Sequence, residues 1–466
     1  MKIGLIFPNK DRRYRTVHLG LAYIAAYARE QHDDLEFHVL DTRVATRHET
    51  NRFFTLPFDL IGITVFSPVY NEVISLFDRI KGIKNDVPVC LGGPYVTTIQ
   101  DQIFQKTPAE YAVYGEGEIT FSELIHALKG NIELKDIRGL MYRNMSGEYI
   151  KNGPRELIEN LDSLPFPAYD LFKMERYPLH RLVTSRGCPY ACSWCNSSSI
   201  WSATWRKRSA ANVYTEIEFL IENYGKKTFG FNDNSFNIDE KHVEEFCDLL
   251  IRNRTGILWS TPVRVEKISP ELAARMKLAG CYNVSVGIES ANDRILFNMG
   301  KKVTIEKLTR GIRAFKEAGI EVLGQFVIGS PGDTLATIME SVEYAKNSAL
   351  DYINFYTVLP FKGTPQWEYV TREGRLYSNE IHSYHTIKPR IVFDTPEFPY
   401  EDRLKAIKLV KKAGFYSNKD KKNRLFDLAK EITRRTQLIL PESVNARFFM
   451  FLKRIYRLNF VKKNNV

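Results

Sequence analysis

The sequence predicts two consecutive α/β units and a helical end: a doubly wound parallel sheet over residues 1–135, a linker over 136–178, a partial (β/α)6 barrel over 179–390 and a basic helical extension over 391–466. Three observations carry this reading. Short runs, apolar on both faces, alternate with helix-like segments through the first 130 residues, as strands of a parallel sheet covered on both sides do. Periodicity is lost between 135 and 180, where Pro165 and Pro167 remove backbone donors. A second alternating series of six strand-like runs follows.

In the first unit the runs Lys2–Phe7, Glu36–Leu40, Leu60–Phe66, Pro88–Leu91 and Tyr111–Tyr114 read as strands. Leu19–Arg29, Asn71–Gly82 and Thr120–Leu128 read as the helices between them. In the second unit, strands are expected near Arg181–Ser185, Thr228–Asn232, Ile257–Val263, Tyr282–Ile288, Glu321–Ile328 and Ile353–Leu359. Helices are expected near 209–224, 239–252, 270–279, 304–318 and 334–348. In both architectures ligands sit on loops at the C-terminal ends of the strands, so those loops are where chemistry is sought.

Charge and cysteine usage narrow the class. Residues 401–466 hold 18 Lys/Arg against 6 Asp/Glu, leaving 48 against 49 in the first 400, so the net charge of +11 belongs to the tail and the body presents no general nucleic-acid surface. No run approaches the ~20 apolar residues a membrane span needs, and Met1–Phe7 is too short for a signal peptide's apolar stretch. Three of the six cysteines lie at Cys188, Cys192 and Cys195, which suggests reduced thiols acting as metal ligands in a cytoplasmic protein. Cys90, Cys247 and Cys281 lie in apolar contexts and read as buried small hydrophobes.

The triad follows the first strand of the second series, in Arg186-Gly187-Cys188-Pro189-Tyr190-Ala191-Cys192-Ser193-Trp194-Cys195-Asn196. Three soft ligands suit iron–sulfur chemistry or zinc, but a structural zinc site closes with a fourth Cys or His at short spacing, and none appears before His242. This C-x3-C-x2-C arrangement, with an aromatic just before the third cysteine, resembles the signature of the radical S-adenosylmethionine (SAM) superfamily. The resemblance implies that the three cysteines hold a [4Fe-4S] cluster whose fourth iron is chelated by SAM, with Trp194 beside the adenine. It further implies polar groups toward the SAM amino group at Asp233 and Asn234, a ribose acceptor at Glu289 followed by Ser290, and an adenine-packing segment that includes Phe326 and Gly329. Asp333 stands in that segment where relatives often have Glu.

The first unit resembles the cobalamin-binding domain that precedes the barrel in one large radical SAM class. The carrying residues are His18-Leu19-Gly20-Leu21, Ile61-Gly62-Ile63-Thr64 with Ser67, Leu91-Gly92-Gly93-Pro94-Tyr95 and Tyr114-Gly115-Glu116-Gly117-Glu118, each after a strand. Glycines there let backbone approach a flat ring. The resemblance implies cobalamin contacts at Leu19, Gly20, Ser67, Gly92, Gly93, Glu116 and Gly117. No D-x-H-x-x-G motif is present, so histidine ligation of cobalt is not expected.

Together the two resemblances imply reductive cleavage of SAM to a 5′-deoxyadenosyl radical and methyl transfer from cobalamin to an unactivated carbon of a small-molecule or lipid substrate. The alternatives are a non-methylating oxidoreductase or cyclase of the anaerobic porphyrin-cyclase kind, and a non-enzymatic metal- or RNA-binding protein. A one-electron reductant of flavodoxin or ferredoxin type is the implied partner, and no nucleic acid is expected. In the tail, Phe448, Phe451, Leu452 and Ile455 face away from Arg447, Arg454 and Arg457 on a basic amphipathic helix. Such a helix suits either contact with the inner face of an anionic membrane or packing against the barrel.

Overall fold

A computed structural model describes residues 1–9, 11, 15–83, 87–377 and 391–415. The first unit runs β1 (Lys2–Phe7), α1 (Leu19–Gln31), β2 (Glu36–Asp41), α2 (Arg47–Thr55), β3 (Leu60–Thr64), α3 (Tyr70–Ile83), β4 (Val89–Gly92), α4 (Pro94–Ile99), α5 (Gln102–Lys106), β5 (Tyr111–Val113) and α6 (Glu118–Leu128). Its parallel strands lie in the order β2-β1-β3-β4-β5, so direction of winding reverses between β1 and β3 and the loops there splay apart. The helices that sequence reading passed over are α2, α4 and α5. Helix α2 begins on a capping box between Thr46 and Glu49, whereas α4 and α5 have only 6 and 5 residues, too few to show a period.

The sheet does not stop at residue 135. Strands β6 (Leu140–Arg143) and β7 (Tyr149–Lys151) continue it as an antiparallel hairpin paired to β5, which corrects the early part of the expected linker. All three side chains of β7 are exposed, so the strand carries no apolar alternation to read. The remainder of the linker is a packed strap of short 3-10 turns. Tyr169 donates to Glu216 Oε1 at 2.6 Å, Tyr177 to Asp41 Oδ2 at 3.1 Å, and the Ala168 amide to the Ala22 carbonyl at 3.1 Å, so the strap is bonded to both units. Val17, Leu19, Ala22 and Tyr23 from the first unit share one continuous core with the second.

The second unit opens with β8 (His180–Leu182), β9 (Ser185–Gly187), α7 (Ser197–Trp201) and β10 (Trp205–Lys207). It continues through α8 (Ala210–Tyr224), β11 (Thr228–Phe231), α9 (Glu240–Arg252), β12 (Leu258–Val263), α10 (Pro270–Leu278), β13 (Cys281–Glu289), α11 (Asp293–Asn298), α12 (Ile305–Glu317), β14 (Glu321–Ile328), α13 (Leu335–Asn347) and β15 (Tyr352–Thr357). Six parallel strands, in the order β15-β14-β13-β12-β11-β8, form the expected incomplete barrel. The single first strand expected at Arg181–Ser185 is in fact two, because the chain leaves the sheet after Leu182 and turns into the antiparallel β9/β10 hairpin.

Register shows which strand residues face the helices. Phe326 and Phe355 are paired neighbours stacked at 4.6 Å and fully buried, while the adjacent pair Gln325 and Asn354 points the other way, into the barrel. Helices α14 (Pro365–Glu373) and α15 (Tyr400–Lys412) follow, and the Phe415 carbonyl accepts from the Phe355 amide at 3.1 Å on the outer strand. Among the described residues no helix is long and apolar enough to cross a membrane. The amphipathic helix expected at 447–457 lies outside the described residues.

Candidate active site

The cysteine loop is held at its base by the β9/β10 hairpin. Gly187, the residue before Cys188, sits at φ +84°, and a Cβ on it would lie 2.2 Å from the Thr204 carbonyl oxygen, so only glycine lets the two strands close here. Within the loop the Cys195 amide donates to the Cys192 carbonyl at 3.0 Å and the Ser193 amide to the Met299 carbonyl at 2.9 Å. The Ser197 amide points at Cys195 Sγ, 3.5 Å away. Burial, aided by the neighbouring thiols of Cys192 and Cys188 and opposed by the Ser197 amide, pushes the Cys195 thiol up to about 11, so the three sulfurs share one electrostatic neighbourhood. Burial also raises Cys192, against the pull of Lys301 and Arg264. Arg264 lies 3.7 Å over the ring of Tyr190 and closes the loop from the β12 side.

Among the described residues no three His, Cys, Asp or Glu side chains converge as a one-ion site requires. A four-iron cube does not ask this of its ligands, since each thiolate takes a separate corner, and the donor set is the soft one iron–sulfur chemistry uses. Buried polar atoms without a partner occur in and against the loop: Ser185 Oγ, Ser193 Oγ, Trp194 Nε1 and Gln366 Oε1, the last from a residue whose amide donates to the Ser193 carbonyl. Leaving such groups unmet costs roughly 1–3 kcal/mol each, which a polar ligand or water at the rim would recover.

The expected SAM residues separate into those that face this space and those that build its walls. The Trp194 ring packs with Val327, Val358, Ile295 and Met299, directly over the end of β14. Glu289 ends β13 at φ +69° and pairs with Lys301 at 3.4 Å, a lysine that the motif reading missed because it lies 12 residues downstream on the turn after α11. A Cβ on Gly287 would sit 2.2 Å from Glu289 Oε1, so that glycine makes the room this carboxylate occupies. Asn234 donates to Ser197 Oγ at 2.8 Å.

Asp233 and Phe326 require correction, and Ser290 has a structural task of its own. Both oxygens of Asp233 are engaged inside the chain, with Oδ1 accepting from the Thr184 and Ser185 amides at 2.8 and 2.9 Å and Oδ2 from Thr184 Oγ1, so it shapes the bend into the cysteine hairpin. Burial raises its carboxyl to about 6 despite these donors. Ser290 Oγ accepts from the Asn292 amide at 3.2 Å and serves the turn into α11. Phe326 faces the helix layer, and Val327 takes the inward position assigned to it. Gly329, at φ +106°, bends the chain after β14, with its amide and that of Ser330 on Asp333 Oδ2 at 3.0 and 2.9 Å.

Against the hairpin that leads into the cysteine loop lies a cavity of about 520 Å³, walled by both units. Leu19, Gly20, Gly92, Gly93, Glu116 and Gly117 all line it, whereas Ser67 does not: it starts a 3-10 turn behind the wall. The opposite wall is Ser185, Arg186, Gly187, Trp201 and Asn234. At Gly115 a Cβ would meet nothing within 4 Å and at Gly92 only a carbonyl oxygen at 3.9 Å, so bare backbone leaves a shelf open to a flat ligand. His18 also lines the cavity. Its Nδ1 accepts from the Leu21 amide at 3.1 Å, capping α1, so the neutral ring carries its proton on Nε2, which faces Thr64 Oγ1 at 3.5 Å. Burial, reinforced by Arg43, lowers this imidazole to about 4.

Comparison with known proteins agrees with this layout. Residues 182–345 match the radical SAM superfamily and residues 10–125 the B12 binding domain. An uncharacterized methyltransferase of Pyrococcus horikoshii is 33% identical over 401 residues, covering 84% of this chain and 87% of that protein. An anaerobic magnesium-protoporphyrin IX monomethyl ester cyclase of Rubrivivax gelatinosus is 28% identical over 358 residues, covering 73% of this chain and 64% of its own length. The fold is shared with the radical SAM methyltransferase TsrM of Kitasatospora setae, solved with cobalamin and a [4Fe-4S] cluster bound, at a TM-score of 0.68 and 22% identity over 78% of this chain and 73% of that one. The chain therefore belongs to the radical SAM superfamily, with a B12-binding domain ahead of its barrel.

Proposed function

We propose that this chain is a cobalamin-dependent radical SAM methyltransferase acting on an unactivated carbon of a small-molecule or lipid substrate in the cytoplasm. The observation that carries the reading is the shared cavity: the glycine shelf at the ends of β4 and β5 and the hairpin that bears the cysteines are opposite walls of one space. When bound, the cluster and SAM supply a carbon-centred radical and cobalamin supplies the methyl group.

The chain's own residues have separable tasks. Cys188, Cys192 and Cys195 would hold iron, and the Ser197 amide together with the Lys301 and Arg264 charges favours the thiolate form they need. Glu289 can accept two ribose hydroxyls, with the Lys301 ammonium 3.4 Å from its Oε1 in a buried place. Leu5, Phe7, Val17, Ile63 and Phe66 make the cavity's first-unit side apolar and exclude water from the reacting space. His18, with Nδ1 committed to a backbone amide and Nε2 protonated, has no lone pair for cobalt, which supports a cofactor held without a histidine ligand. A one-electron carrier of flavodoxin or ferredoxin type serves as reductant.

The test is anaerobic reconstitution with iron, sulfide and cobalamin, followed by a dithionite-plus-SAM assay. Bound corrinoid with both 5′-deoxyadenosine and S-adenosylhomocysteine as products is the expected outcome. Deoxyadenosine with neither corrinoid nor homocysteine product would replace methyl transfer by the non-methylating cyclase reading, which the Rubrivivax gelatinosus relative favours.

A further inference from the structure

The turn between α11 and α12 is the part of the surface most directly joined to the cysteine loop. Its Met299 carbonyl accepts the Ser193 amide at 2.9 Å, one residue from Cys192, and Gly300 lies against the Ala191 carbonyl, where an added Cβ would be 3.3 Å away. On the other side Asn298 Nδ2 donates to the Pro331 carbonyl at 3.2 Å, so the turn is braced from two directions. From this rigid support Phe297 projects with 76% of its surface exposed. Among the exposed apolar side chains, Phe297 is set apart by sitting two residues from the Met299 carbonyl that holds the cysteine loop.

The charges around it answer in part. Arg294, Lys302, Lys307 and Arg310 are all exposed on α11, the turn and α12, and among the described residues no ion pair is formed by any of them. The acids on the same segment are Asp293, which also accepts the Ile305 amide at 2.8 Å, and Glu306, two against these four cations. The first 400 residues are close to neutral, so this is a local excess and not a sample of a basic body. An exposed aromatic on a segment that also carries four exposed cations outside any ion pair complements an acidic protein surface.

We propose that the face formed by Phe297, Lys302, Lys307 and Arg310 is the docking site for a small acidic one-electron carrier of the flavodoxin type. This rests on the radical SAM reading, which requires such a donor. The route from the face inward is short: along the backbone from Phe297 to Met299, across its hydrogen bond to Ser193, and to Cys192 beside it. One electron passes from the reduced flavin to the oxidised cluster, leaving the flavin one electron more oxidised and the cluster one electron more reduced. The cations raise the encounter rate and the aromatic fills the centre of the contact.

The experiment compares the unsubstituted full-length, reconstituted protein with the Lys302→Glu/Lys307→Glu double variant and with Phe297→Ser. Flavodoxin binding is measured by fluorescence anisotropy across salt, and SAM cleavage is driven in parallel by reduced flavodoxin and by dithionite. The double variant is expected to weaken binding about tenfold at low salt, flatten its salt dependence, and slow flavodoxin-driven cleavage while dithionite-driven cleavage stays unchanged. Phe297→Ser is expected to weaken binding while keeping the salt dependence. Unchanged binding in both variants, no flavodoxin binding by the unsubstituted protein, or an equal loss of cleavage with both donors would overturn the assignment. Absence of dithionite-driven cleavage in the unsubstituted protein would overturn the proposed function, and the binding comparison would still decide the face.

Discussion

Arg186 Nη1 lies 2.7 Å from Glu116 Oε1, joining the residue two before Cys188 to the loop that follows β5 in the other unit. The same guanidinium reaches Glu118 at 2.6 Å, and Arg206 across the hairpin donates to Glu116 Oε2 at 2.9 Å. Glu116 was expected to touch cobalamin; it lines the cavity but spends both oxygens on these arginines and on the Ile158 amide. Although burial raises its carboxyl, Arg206 and Arg186 together hold it below the usual range. The network fixes the cysteine hairpin against the floor of the cavity, so the distance between the two cofactor regions is set by side chains.

Glu116→Ala is accordingly expected to cost about 3–5 kcal/mol, because it removes the buried carboxylate that two guanidiniums share. Arg186→Ala should cost a similar amount and the double variant less than the sum. Chemical denaturation of the four proteins gives the cycle, and strict additivity would show that the pair is not coupled.

Gly187→Ala is expected to destabilise by about 2–4 kcal/mol, combining a left-handed backbone with a Cβ that would meet the Thr204 carbonyl. The hairpin must open to relieve it, so iron retained after reconstitution should fall with stability. A variant with full iron content and an unchanged unfolding midpoint would contradict this.

Gly287→Ala acts more locally. Its Cβ would displace the Glu289 carboxylate and with it the Lys301 ammonium, which also donates to the Gly287 carbonyl. SAM affinity, followed by equilibrium dialysis, is expected to weaken about tenfold with iron content intact, the loss of about one charge-assisted hydrogen bond.

Two buried imidazoles set the acid limit of the fold. His18 is lowered to about 4 and His180 to about 3, each mainly by burial, against about 6.5 in the unfolded chain. As pH falls below about 6.5 the unfolded chain takes up protons that the native state refuses, so stability is full above that value and declines toward pH 4 for His18 and pH 3 for His180. His18→Asn keeps an acceptor at the helix cap and removes one of these protons. Its urea midpoint should therefore lose less between pH 7 and pH 5 than that of the unsubstituted protein.

How much was legible in the chain depended on the range of the interaction. Long, strongly periodic elements such as β14 and α12 were placed within a residue or two, because their apolar spacing is a local property. The β6/β7 hairpin and the short helices α4 and α5 were not, since their stability comes from neighbours distant in sequence. At the site, Cys188, Cys192 and Cys195 stand out by spacing alone, while Lys301 and Arg206 carry no motif and become visible only once Glu289 and Glu116 stand beside them. Phe326 and Val327 show the remaining gap: adjacent strand residues face opposite sides, and which side is inward is a matter of register.

By itself the sequence determined the order of two α/β units, the three thiols at one strand end and the glycines at four others, since turn chemistry and periodicity are written in neighbouring residues. The tertiary structure alone decided that those glycines and the hairpin that carries the cysteines are walls of one cavity. That relationship depends on the strap from Leu161 to Tyr177 and on the buried pairing of Arg186 and Arg206 with Glu116, contacts between residues 47 to 146 positions apart that no local pattern encodes.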